Sequence, residues 1–239
     1  MNQQRELEAD FQRCVRSIGG IVLDEAKSGK TADFKFPKDN VIAELKTMLV
    51  DTSEKLNGRV KAITEDWNKA NGRLPAGIGF ERGQPYFELA AIEPEIAEKW
   101  IDLLRQDVER QVKDANAQIA ETKIREGMPS ARGIIIICNT NNTYHRHPES
   151  YRLLIASILR KRNQKGELRY PHINGAVYFS WKNVKGINFD GYFWTPLQAQ
   201  HYADEDVSDV VAFQRRLRDG WYKYLGDTHG ITVRQHETE

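Results

Sequence analysis

Residues 134–138 read Ile-Ile-Ile-Ile-Cys, with Arg132-Gly133 ahead of them and the turn-forming Asn139-Thr140-Asn141-Asn142 behind. A run this short and continuously apolar leaves no polar face for solvent, which is the pattern of a strand buried on both sides. Such a strand needs a sheet around it and helices over that sheet. The chain is therefore expected to be α/β, a central mixed β-sheet flanked by helices. Its 239 residues, 40% hydrophobic and 29% charged, suffice for one such domain across 1–239 with a substantial core.

The remaining periodicities fill in that frame. Residues 3–18 have Phe11, Val15 and Ile18 on one helical stripe, with Gly19-Gly20 as a stop; three residues back from Phe11 the stripe meets Glu8, a carboxylate where a leucine is expected. Ile21 to Leu23, Thr31 to Phe36 and Val41 to Lys46 read as three strands. Residues 52–71 start at a Thr/Ser cap and place Leu56, Val60, Ile63 and Trp67 at helical spacing. Leu74 to Phe87 is rich in glycine and proline, a loop or an irregular hairpin. From Pro94 to about Glu126 runs one long helical pattern whose last part, KDANAQIAETKIREG, is more polar. Residues 52–130 thus read as a helical insertion between the third and fourth core strands. Its long helix either docks on a second copy of the chain or packs on its own domain. A helix over Tyr151 to Arg162, a strand over Ile173 to Trp181 and a helix around Asp206 to Leu225 complete the order.

Chemistry concentrates in Thr31 to Lys46, TADFKFPKDNVIAELK. Pro37-Lys38-Asp39-Asn40 is turn chemistry that folds the two flanking runs into a hairpin. Along the second run side chains alternate, so Val41, Ala43 and Leu45 point one way and Ile42, Glu44 and Lys46 the other. The hairpin brings Asp33 toward Glu44. Two carboxylates at that distance repel unless a cation lies between them, and an oxygen-rich pair suits Mg²⁺, which keeps waters and accepts phosphate oxygens. Ordinary cross-strand charges on a solvated face are the alternative reading.

Asp33 followed by Glu44-Leu45-Lys46 resembles the PD-(D/E)XK nuclease superfamily, over roughly residues 5–47 and 132–181. Ala32 stands where the motif's name has proline. The resemblance implies a restriction-endonuclease-like core and a Mg²⁺-dependent DNA endonuclease of restriction, repair or anti-phage type, with Mn²⁺ able to substitute. It further implies that Asp33, Glu44 and the Leu45 carbonyl are metal ligands and that Lys46 orients or activates the attacking water. By the same resemblance Glu8 is the acidic residue of the opening helix that faces the metal site as a further ligand and catalytic group, and Gly20 leads into the first strand; a solvated first-turn glutamate is the alternative. A nucleic-acid-binding or assembly subunit that keeps the fold without turnover, or a nuclease for RNA, are the other readings.

Net charge is only +1, so any surface for double-stranded DNA must be local. Arg152, Arg160, Lys161, Arg162 and Lys165 form one such cluster, extended by Arg169. A looser group, Arg215, Arg216, Arg218 and Lys223, is interleaved with Trp221, Tyr222 and Tyr224. His145 and His147 lack a second Cys or His pair at zinc-ligand spacing and are read as phosphate contacts in the loop after the fourth strand. Two cysteines make no disulfide framework. The polar N-terminus and the absence of a spanning apolar run predict a cytoplasmic protein with no membrane partner. The long helix points to a homodimer, and the resemblance implies a subunit of a larger defence complex as the other assembly.

Overall fold

The structure, a computed structural model, describes residues 2–23, 31–48, 53–76, 78–81, 84–87, 93–139, 148–180, 194–198 and 206–230. His145 and His147 lie outside them. The described chain runs α1 (Asn2–Ser17), β1 (Ile21–Val22), β2 (Phe34–Phe36), β3 (Val41–Met48), α2 (Ser53–Asn71), β4 (Ile78–Glu81), β5 (Gln84–Phe87), α3 (Pro94–Arg125), β6 (Arg132–Asn139), α4 (Pro148–Leu159), β7 (Gly175–Ser180), β8 (Trp194–Gln198) and α5 (Ser208–His229). No described helix is long and apolar enough to cross a membrane.

The isoleucine run is β6, and it lies at the centre of a mixed six-stranded sheet of order β1-β2-β3-β6-β7-β8. β6 pairs in parallel with β3 on one side and with β7 on the other; the remaining pairs are antiparallel. Both faces of β6 are covered, which explains why it needs no polar residue between Gly133 and Asn139. Ile135 and Ile137 face a core built with α3 and α4, where Val108, Val112, Ala115, Ile119, Ile155 and Ile158 are buried. Ile134, Ile136 and Cys138 face the core under α1 and α5. That second core is aromatic: Phe11 packs with Phe34, Phe179 and Trp221 at ring-centroid distances of 5.7, 5.7 and 5.2 Å.

The β2–β3 hairpin is closed by a 3₁₀ turn at Pro37–Asp39, and Asn40 takes the left-handed conformation, with φ 51°, that lets β3 start. Register Phe34↔Ala43 and Phe36↔Val41 then fixes the alternation of β3. Val41 and Ala43 go to the aromatic core, and Ile42 and Met48 to the α3 side.

The long helix differs from expectation in its polar second half. From Val108 onward it lies on the sheet, with Val108, Val112, Ala115 and Ile119 fully buried, and it forms the crossover between the parallel strands β3 and β6. The insertion expected over 52–130 includes this half of α3, which belongs to the core. The steps 108, 112, 115, 119 are four, three and four residues, an apolar stripe one residue wide that polar neighbours hide in the sequence. Toward Pro94, α3 packs with α2, and β4 and β5 form a separate two-stranded hairpin.

β6 meets α3 and the lead into β7 closely at Gly133. A Cβ there would lie 1.9 Å from the His172 carbonyl oxygen and 2.8 Å from Ile119 Cγ2. Gly133→Ala is expected to destabilise the fold by about 1–3 kcal/mol, because a backbone carbonyl and a core side chain must both move. Urea denaturation checks it, and an unchanged midpoint would refute the close packing of α3 on β6.

Candidate active site

The sheet face under α3 should be apolar throughout, and for most of its area it is. It departs from this most on β3, where Glu44 and Lys46 replace the aliphatic residues that alternation calls for. Glu44 is 2% exposed. A carboxylate removed from water needs its oxygens filled, and both are: Oε1 accepts from Lys46 Nζ at 2.6 Å and Oε2 from the backbone N–H of Asp33 at 3.1 Å. Asp33 answers across the hairpin, its Oδ2 accepting from the Leu45 N–H at 2.7 Å. These two reciprocal bonds splice the chain just ahead of β2 to the middle of β3.

The remaining partners come from α3. Gln118 accepts from Lys46 Nζ at 2.7 Å and donates through Nε2 to the Thr31 carbonyl at 3.1 Å. Thr122 Oγ1 accepts from the Ala32 N–H at 2.8 Å, and Arg125 Nη1 donates to Thr31 Oγ1 at 2.8 Å. Glu126, just past the helix, takes Lys35 Nζ at 2.6 Å and Arg125 Nε at 3.3 Å. Positions 118, 122 and 125 are spaced four and three apart, so they form a polar stripe beside the apolar one. None of the three was expected from sequence. The one available signal was the buried four-three-four stripe in the polar tail, which puts its immediate neighbours at the sheet margin.

Of the expected site residues, Asp33, Glu44 and Lys46 are brought together. Leu45 contributes its N–H to Asp33 and turns its side chain to the aromatic core. Glu8 is carried on α1, which covers the other face of the sheet, and its charge acts on the Cys138 thiol. The α1 core stripe passes through Leu7 rather than Glu8, a step of four residues back from Phe11. Among the described residues no group of three or more His, Cys, Asp or Glu stands close enough to hold a metal ion. Asp33 and Glu44 are thus a pair of hard oxygen donors, a set that suits a cation keeping several waters of its own.

The basic cluster divides. Lys161 Nζ and Arg169 Nη1 both bind the Glu109 carboxylate on α3, at 2.6 and 3.2 Å, and Arg162 donates to the Gly166 carbonyl at 2.7 Å. These cations tie the chain after α4 to itself and to α3. Arg160 and Lys165 are exposed, as is Arg152. Arg152 borders a shallow pocket with Ile137, Tyr151 and Tyr178. Ile137 and Tyr178 are the successive register partners of Lys46 across the sheet, so Arg152 overlies the same row two strands away. In the C-terminal group Arg216 is committed to Asp39 and the Ile18 carbonyl, and Trp221 is fully buried in the aromatic core.

Compared with protein-family models, curated proteins and solved structures, the chain matches none. Its residues alone carry the functional argument.

Burial, and after it the charge of Asp33, pushes the Glu44 carboxyl up to about 8, while the Lys46 ammonium pulls it back. The folded chain therefore holds a proton that the unfolded chain releases near its ordinary 4.5. This contribution to stability is full below that pH and is lost as pH rises through about 8. Glu44→Gln should flatten the decline between those limits. Denaturation midpoints of both proteins across the pH range measure this, and parallel curves would mean that Glu44 is not the titrating group.

Proposed function

We propose that the chain is a Mg²⁺-dependent endonuclease acting on double-stranded DNA, built on a restriction-endonuclease-like core. One observation carries this reading: two carboxylates, Asp33 just ahead of β2 and Glu44 on β3, are spliced together with a lysine, Lys46, on the same strand as Glu44. A buried carboxylate pushed up to about 8 beside a second acid is a group that gains by exchanging its proton for a cation. A divalent ion bound to these oxygens would polarise a phosphodiester and supply a bound water near neutral pH.

The chain's own residues then have distinct tasks. Asp33 and Glu44 hold the cation, with the Leu45 carbonyl as a third oxygen; the expected fourth, Glu8, would have to reach around from the far face of the sheet. Lys46 faces the same space as Glu44 and orients the water or meets charge developing on the phosphate. Exposed Arg152, Arg160 and Lys165 supply phosphate contacts that depend on salt rather than base sequence. The free, buried thiols of Cys14 and Cys138 fit a reducing compartment such as the cytoplasm. One such centre per chain serves one strand of a duplex, which favours a homodimer or a defence complex for two-strand cleavage.

Purified protein incubated with supercoiled plasmid should nick it in Mg²⁺ or Mn²⁺ and not in EDTA. Glu44→Ala and Lys46→Ala should each lower the rate by about 100-fold or more. Nicking that survives Glu44→Ala sinks the assignment. Cleavage confined to RNA would redirect it to an RNA nuclease, and DNA binding without cleavage would leave a binding subunit.

A further inference from the structure

Gln118 closes a ring. From Lys46 Nζ the path runs 2.7 Å to Gln118 Oε1, through the amide, and 3.1 Å from Nε2 to the Thr31 carbonyl. It then follows the backbone from Thr31 to Asp33, crosses 2.7 Å from Oδ2 to the Leu45 N–H, and returns along one peptide unit to Lys46. Every other link in this ring is backbone or a residue already assigned to the centre. Gln118 is the one member that comes from outside the hairpin, 72 residues from Lys46 in sequence.

The amide has only one orientation that satisfies both ends. A lysine ammonium can only donate and a carbonyl can only accept, so Oε1 must face Lys46 and Nε2 must face Thr31. No other common side chain of this length presents an acceptor and a donor at once. A glutamate would meet Lys46 but repel the Thr31 carbonyl, and a lysine would do the reverse. The pairing also restricts Lys46, whose long flexible stem would otherwise let it swing away from Glu44. With acceptors on two sides, Glu44 Oε1 and Gln118 Oε1, the ammonium is fixed in place.

We propose that Gln118 is a positioning residue for the reaction at Lys46, holding the ammonium at one set distance from the segment 31–33 ahead of β2. The proposal deepens the nuclease reading and rests on it for its catalytic consequence. Its geometric part, that Gln118 orders Lys46, stands apart from any activity.

Two substitutions and two readouts test it. Gln118→Met keeps length and volume and removes both hydrogen bonds; Gln118→Glu keeps the acceptor toward Lys46 and loses only the donor to Thr31. In plasmid nicking, Gln118→Met is expected to lower kcat about 10- to 100-fold with KM changed less than about threefold. Gln118→Glu, which still meets Lys46 but gives up the Thr31 anchor, is expected to recover part of that loss. Equal kcat for wild type and Gln118→Met, or equal damage from both variants, overturns the positioning role. The second readout needs no catalysis: the Lys46 ammonium should give a resolved ¹⁵Nζ–¹H signal, because its protons are sheltered by two acceptors. That signal should vanish in Gln118→Met and persist in Gln118→Glu. Should the wild type cleave no nucleic acid, the nuclease reading fails while the NMR comparison still decides whether Gln118 orders Lys46. If Gln118→Met does not fold, Gln118→Glu against wild type decides: loss of the signal refutes the claim and its retention supports it.

Discussion

A single buried carboxylate sets the terms for this fold. Glu44 occupies the fourth residue of a strand whose neighbours on the same face are aliphatic, and α3 covers it. Stripping a carboxylate of water without compensation costs far more than a domain's net stability, so its surroundings must be built to answer it. The nearby oddities of sequence either answer it directly or hold the chain ahead of β2 that does. Lys46 lies two residues on, the Asp33 backbone turns its N–H inward, and α3 carries Gln118, Thr122 and Arg125 where a simple crossover helix would carry alanines.

The two faces of the sheet divide the labour. On the α1 and α5 side, Phe11, Phe34, Phe179 and Trp221 form a core of large rings, and aromatic pairs of this kind contribute both area and geometry. That face anchors the strands. The α3 side has small residues such as Ala32 and Ala115 beside the charged pair, so α3 can approach closely enough for 118, 122 and 125 to reach the chain ahead of β2. A slip of one residue in β3 would send Glu44 and Lys46 into the aromatic rings, and the two hydrogen bonds between Asp33 and β3 specify the register against this.

Much of this was legible in the sequence, and the reasons differ by element. The isoleucine run announced a two-sided strand because nothing polar interrupts it. The β3 alternation placed Glu44 and Lys46 on one face because period-two geometry allows no other outcome. Glu8 was read from a stripe stepped by three residues, whereas the helix packs through Leu7, a step of four; on a helix of 3.6 residues per turn both steps are open until a partner surface chooses. Gln118, Thr122 and Arg125 were illegible for a different reason. A polar side chain on a helix looks solvated unless the partner it meets is known, and their partners lie 72 to 94 residues away. Lys161 and Arg169 misled in the same way, since the carboxylate that neutralises them, Glu109, sits on a helix far earlier in the chain.

The crossover helix has a consequence for how a chain like this can vary. The strand bearing Glu44 ends at Met48, and the half of α3 that touches the sheet begins at Val108. The first point is pinned by the parallel pairing of β3 with β6, the second by the burial of Val108 against the sheet. Between them Leu56, Val60 and Ile96 are buried outside the two cores over the sheet, where α2 packs on α3, while Leu104 already leans on the α3-side core. The hydrogen bonds that Asp33, Glu44 and Lys46 make with one another and with Gln118 involve no residue of that segment, so its packing and theirs are separate problems for the sequence to solve.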